Sequence, residues 1–180
     1  FYESCGPQGE KLIEYVEKEW KGEKHVGELP LDIVDQCVEH GKKAVEAMNA
    51  ISVKPTKNAE EFERIKNDME CYQTFAISFR YKVLAAQQVL NYKWTKEIKY
   101  LDAALPLLNK SLLYWYKLAI KTDDTYHYAN SMQTSHRRIP VGGDDGKFKT
   151  WKDMIPVYEE ELEALQNNIY KLKNPTAKNT

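Results

Sequence analysis

The sequence holds little of what usually announces a chemistry. Its 180 residues include three cysteines, Cys5, Cys37 and Cys71, far apart and with no CxxC pair. A structural zinc site and a disulfide framework are therefore not expected, although one disulfide with a third free thiol stays open. Neither sign of charge is in excess: 26 Lys plus Arg face 27 Asp plus Glu, for a net charge of −1. A dedicated nucleic-acid binder normally shows a clear basic surplus, so no nucleic-acid partner is expected, whatever local basic patches exist. No apolar run approaches the roughly 18–20 residues of a membrane-spanning helix. No signal-peptide pattern is present either. What is there is ordinary globular material, 42% hydrophobic and 29% charged, which argues against intrinsic disorder. The length suits one domain, 1–180, with a real core. Because the chain begins at Phe1 rather than Met, the expectation is a processed protein or a piece of a longer one.

Hydrophobic spacing predicts an all-α fold, a bundle of four to five helices. From about Asn58 to Tyr92, Phe62, Ile65, Met69, Tyr72, Ala76, Phe79, Val83, Ala86 and Leu90 recur in steps of three and four. This reads as the core seam of a long amphipathic helix, capped by Thr56 or Asn58. A second helix is expected from about Thr95 to Lys121, with a seam of Ile98, Leu101, Leu105, Leu108, Leu112, Trp115 and Ala119. Pro106 should kink or restart it. A third runs from Thr150 to Leu172 on Trp151, Ile155, Tyr158, Leu162, Leu165, Ile169 and Leu172, with Pro156 in its second turn. Shorter helices are expected over Gln8 to Lys21 (Leu12, Val16, Trp20) and Pro30 to Ala50 (Val34, Cys37, Gly41, Ala44, Met48). Cys37 on that stripe should be a small buried hydrophobe, and Gly41 and Ala44 should let a neighbouring helix approach closely. No segment alternates with a period of two, so no strand is expected; degenerate helical repeats are the minor alternative.

Asp123 to Lys149 breaks the helical pattern and is long enough for a functional connection. Its apolar residues suggest an ordered loop before the last helix. Tyr126, His127, Tyr128, His136, Arg137, Arg138, Asp144 and Asp145 form the candidate site. Gly142-Gly143-Asp144-Asp145-Gly146-Lys147 is not a phosphate loop, since Val141 stands where a glycine is needed and Phe148 follows the lysine. Nor does it follow the EF-hand pattern, and a tight turn explains Asp-Gly more simply. The arginine pair has the geometry to grip a carboxylate or phosphate, or to clasp helix-terminal carbonyls. No HExxH, nucleophile elbow or inward Glu-x-x-His pair occurs, so no catalytic residue, metal or cofactor is assigned. The carboxylates Glu60, Glu61 and Glu159 to Glu161 read as solvated helix faces.

Twelve tyrosines and four tryptophans are the positive signal. Tyr114, Trp115 and Tyr116 are consecutive, so they cannot all face one core. Surplus rings suit a domain that docks on a larger partner, or a platform on which sugars stack. An apolar patch on an otherwise closed bundle would favour docking, and a flat row of exposed rings would favour sugar binding. Polar groups converging in a pocket would favour an enzyme centred on the 123–149 loop.

The stretch Tyr126 to Gln133, with Arg137-Arg138-Ile139-Pro140 and Gly142 to Lys147 ahead of Trp151, resembles the helical module beside the catalytic domains of large secreted glycoside hydrolases of polysaccharide-degrading gut bacteria. The helical segment Tyr72 to Tyr92 fits the same resemblance, which covers about the last two-thirds of the chain and singles out no numbered family. It implies a non-catalytic accessory domain, secreted, periplasmic or at the cell surface. The implied partner is a catalytic domain of the same longer polypeptide, with polysaccharide as the partner in the alternative, carbohydrate-binding reading. It carries over no catalytic residue.

Overall fold

The computed structural model describes residues 9–53, 55–123, 125 and 150–175. Among them are five helices and no strand: α1 (Leu12–Lys21), α2 (Pro30–Asn49), α3 (Ala59–Thr95), α4 (Lys99–Thr122) and α5 (Ile155–Lys173). The all-α expectation holds. At 1.5 Å per residue the 37 residues of α3 extend about 55 Å, and α1, α2 and α4 pack directly on it. The antiparallel α4 makes its most extensive contact, followed by α2, while α1 packs on α3 and α2, and α5 packs on α4.

Local chemistry sets the helix ends. Pro30 opens α2, where its missing N–H costs nothing. Gly22 ends α1 in the left-handed conformation at φ 70°, which a glycine adopts without strain. Lys96, also left-handed, separates α3 from α4. Thr95 belongs to α3, so α4 begins later than the spacing suggested, and it runs through Pro106 as one helix without a restart. Residues 151–154 form turns rather than helix, so Pro156 lies in the first turn of α5, where proline is tolerated. Ahead of them Thr150 and Asp153 bond reciprocally, the Asp153 N–H reaching Thr150 Oγ1 at 3.2 Å and the Thr150 N–H reaching Asp153 Oδ2 at 2.9 Å.

The expected stripes of α4 and α5 are the ones that turn inward, with Leu101, Leu108, Leu112, Trp115, Ala119 and Ile169 all buried. On α3 the expectation is corrected. Its most buried positions are the small residues Cys71, Thr74, Ser78 and Ala85, on the α4 side. Ser78 Oγ donates to the Ser111 carbonyl and Ser111 Oγ to the Ser78 carbonyl, each at 2.8 Å, drawing the two backbones together. The larger residues of the expected seam are displaced around the helix, and Tyr72 is 66% exposed and Phe79 49%. Opposite them, Gly41 of α2 sits so close to α3 that a Cβ there would lie 2.9 Å from Gln73 Cα, as the small-residue reading anticipated. Cys37, expected in the core, is exposed instead; among the described residues the buried thiol is Cys71. Val34, Gly41 and the half-buried Val38 carry the inner stripe of α2, and Cys37 stands one position off it.

Stacking closes the far end of α3. Trp20 of α1 lies on Trp94 with ring centroids 5.0 Å apart, and the enclosed Trp94 indole N–H meets no hydrogen-bond acceptor among the described residues.

Candidate functional site

All eight residues of the loop candidate, Tyr126, His127, Tyr128, His136, Arg137, Arg138, Asp144 and Asp145, lie outside the described residues. The described part of the molecule offers a different feature, an aromatic trough along α3.

Its origin is the twofold duty of α3. Adjacent helical residues point about 100° apart, so with Ser78 directed at α4, Phe79 must emerge beside it. Gln73, against Gly41, holds α2 on a further side of the helix. The sector between these contacts carries Ile65, Tyr72, Phe75 and Phe79, and all four are exposed. Three hollows follow one another along it. The first, about 210 Å³, lies among Asp68, Cys71, Tyr72, Phe75, Leu118 and Trp151. The second, about 260 Å³, is bounded by Phe75, Phe79, Lys82, Trp115 and Tyr158. The third, about 410 Å³, is bounded by Phe79, Val83, Leu12, Pro30 and Ile33. Phe75 separates the first two and Phe79 the last two. From Asp68 to Val83 the row spans about 22 Å of helix.

Its wall is rigid. Trp115 packs with Tyr158 at 4.4 Å between ring centroids and with Trp151 at 5.3 Å, and its indole N–H donates to the Trp151 carbonyl at 2.9 Å. Phe75 meets the edge of Trp151 at 5.7 Å. Lys82 Nζ stands 3.8 Å over the Tyr158 ring and 2.7 Å from Glu161, a cation held by both a π face and a carboxylate. The neighbours of Trp115 resolve the Tyr114–Trp115–Tyr116 triplet. Trp115 is in the core, Tyr114 stacks on Tyr81, and Tyr116 hydrogen-bonds Glu159 on the surface.

The chemistry of the trough is apolar. Burial pushes the Cys71 thiol and the Tyr158 phenol above their ordinary values, so neither supplies an anionic nucleophile at neutral pH. Asp68 is the carboxylate of the first hollow, and none lines the second. Glu10 and Glu28 reach the third, but Glu10 is bound by Lys18 Nζ at 2.6 Å, His25 Nδ1 at 2.7 Å and the Val26 N–H at 2.7 Å. The hydrogen bond from Lys18 leads in holding its carboxyl down at about 2, so Glu10 has no proton to give as a general acid. Among the described residues no three His, Cys, Asp or Glu side chains are grouped to hold a metal ion. No described helix is long and apolar enough to cross a membrane. Glu60, Glu61, Glu159, Glu160 and Glu161 are all exposed, as expected of solvated faces.

Sequence reasoning placed Tyr72 and Phe79 in the core, and no signal in the hydrophobic spacing separates their exposed stretch from a buried one. His25 lies between α1 and α2, where hydrophobic spacing carries no signal. In the structure it joins Glu10 to Glu19 and stacks on Tyr15 with centroids 4.5 Å apart.

The fold and the aromatic surface define a helical domain without a catalytic constellation among its described residues. No protein-family model matches the chain, and no curated protein matches it. A solved structure does: a GH138 enzyme targeting pectin rhamnogalacturonan II is 57% identical over 97% of this chain, with a TM-score of 0.87. The chain spans only 25% of that enzyme's length. It is therefore related to part of a glycoside hydrolase, which agrees with the glycoside-hydrolase part of the resemblance.

Proposed function

We propose that this chain is a non-catalytic helical domain of a longer, exported carbohydrate-active polypeptide, docked on and supporting the catalytic portion. The observation that carries the reading is the pair of coverages, with nearly all of this chain matching one quarter of a glycoside hydrolase. The lining of the trough supports it, because hydrolysis of a glycosidic bond needs two carboxylates facing a cleft, one of them protonated; the first two hollows offer one or none, and in the third Glu10 is held ionised by Lys18 and His25. The substrate class of the whole polypeptide is then a pectic polysaccharide.

The test is a reducing-sugar assay on rhamnogalacturonan II with the 180-residue chain, the full-length polypeptide, and the full-length polypeptide lacking residues 1–180. The expected pattern is no release by the chain alone, and a lowered melting temperature or soluble yield when it is deleted. Sugar release by the isolated chain would overturn the reading.

Carbohydrate binding is the second reading, favoured by the exposed row of Tyr72, Phe75 and Phe79. It ranks behind docking because a ligand site needs well-placed polar groups to orient its ligand. The hollows offer few, and Lys82 already serves Glu161. Retardation of the chain in a gel containing pectic polysaccharide would reverse that order.

A further inference from the structure

We infer that the Ile65–Phe79 face of α3 is the seat of the domain on its own polypeptide, receiving an apolar ridge from the portion beyond these 180 residues. The inference rests on the proposed function and says which surface performs it. Three observations carry it. First, Ile65, Tyr72 and Phe79 of the expected seam, joined by Phe75, stand exposed over about two heptads, while Phe62, Met69, Val83 and Leu90 of the same seam are half-buried. Large apolar side chains at that spacing are what a helix shows toward a neighbour, and here Tyr72 is 66% exposed and Phe79 49%. Second, the charges at the edges of the trough are engaged within the domain, Arg80 by Asp35 of α2 and Lys82 by Glu161 of α5. The surface therefore asks for an apolar partner rather than a charged one, with aromatic residues at the centre and charge at the rim, as in the core of a protein interface. Third, a covering partner is available by length, since the glycoside hydrolase that matches is about four times as long as the matched part, as its 25% coverage implies. Four turns of helix fit the span of about 22 Å, the usual reach of helix-in-groove recognition.

Hydroxyl-radical footprinting read by mass spectrometry tests this without any substitution. Side-chain oxidation of Tyr72 and Phe79 is compared between the 180-residue chain and the full-length polypeptide, with the exposed Tyr170 of α5 as an internal reference of the same chemistry. The expected result is a fall of roughly fivefold or more at Tyr72 and Phe79, as for rings moving from solvent into an interface core, with Tyr170 unchanged. Unchanged oxidation of Tyr72 overturns the inference. If Tyr170 falls in its place, the domain docks by another face and the proposed function stands. If no position falls, docking itself fails. Protection of Tyr72 in the isolated chain by pectic fragments, or by raising its own concentration, would assign the face to sugar or to a second copy and equally overturn the inference.

Discussion

Ser78 and Ser111 each give their hydroxyl proton to the other's backbone carbonyl at 2.8 Å, with the two Oγ atoms 3.3 Å apart, in the buried contact of α3 with α4. The two bonds have separate donors and acceptors, so each can be removed alone. Ser78→Ala and Ser111→Ala should each cost about 1 kcal/mol, and because the two hydroxyls touch, the double variant should depart from the sum by about 0.5 kcal/mol or more. Ser78→Leu should cost about 3 kcal/mol or more by wedging the backbones apart. Urea denaturation of the four proteins checks this, and a neutral Ser78→Leu would show that the helices are not closely apposed.

Gly41 gives the matching prediction on the other side of α3. In an exposed helix, alanine would be the better residue by about 1 kcal/mol. Here the new methyl would stand 2.9 Å from Gln73 Cα, a backbone atom with no rotamer to yield. Gly41→Ala should therefore lower stability by about 1–3 kcal/mol, and a raised melting temperature would contradict the α2–α3 geometry.

Two truncations separate core from trough. Leu108 is buried and Leu108→Ala should cost about 2–5 kcal/mol. Phe79 already has half its surface in water, so Phe79→Ala should cost less than about 2 kcal/mol in the 180-residue chain. Equal losses in a thermal or urea melt would mean that the trough is closed.

The clasp at α1 should respond to pH at both ends. Both nitrogens of His25 face carboxylates, Glu10 at 2.7 Å and Glu19 at 2.6 Å, and Lys18 also binds Glu10. Hydrogen bonding to Glu19 first, then to Glu10, raises the pKa of His25, so its contribution is full below its unfolded value of about 6.5 and is lost as pH rises through the raised folded value. Glu10 is lowered to about 2, so its contribution is present above the ordinary carboxylate value and is lost as pH falls toward 2. Amide exchange of α1, corrected for its intrinsic pH dependence, should be slowest near pH 5.5 and faster toward both extremes. His25→Ala should abolish the alkaline limb, and a flat profile in the parent chain would rule the clasp out.

What could be read from the sequence depended on how many neighbours a helix has. The outer helix α5 buries one stripe, and Trp151, Ile155, Tyr158, Leu162, Leu165, Ile169 and Leu172 were legible to the residue. The central helix α3 meets neighbours on more than one side, and its tightest contact uses Ser78 and Thr74, which hydrophobic periodicity passes over. The same periodicity placed Tyr72 and Phe79 in the core, and both are exposed, because a helical stripe does not say whether a neighbour within these residues covers it. Cys37 failed for a simpler reason, because one helical position is 100° of rotation. The loop residues singled out in the sequence fall outside the described residues, so the trough could be found only once α2, α3 and α5 were placed.

The unbroken length of α3 has a mechanical consequence. A spar of about 55 Å turns a tilt of one degree into about 1 Å of travel at its far end. Tyr72 and Trp94 ride on this one helix about 33 Å apart, so a displacement at the first reaches the Trp20–Trp94 stack with no break in the helix between them. In mechanical terms α3 is a brace, a single strut joining the aromatic trough to the tryptophan stack.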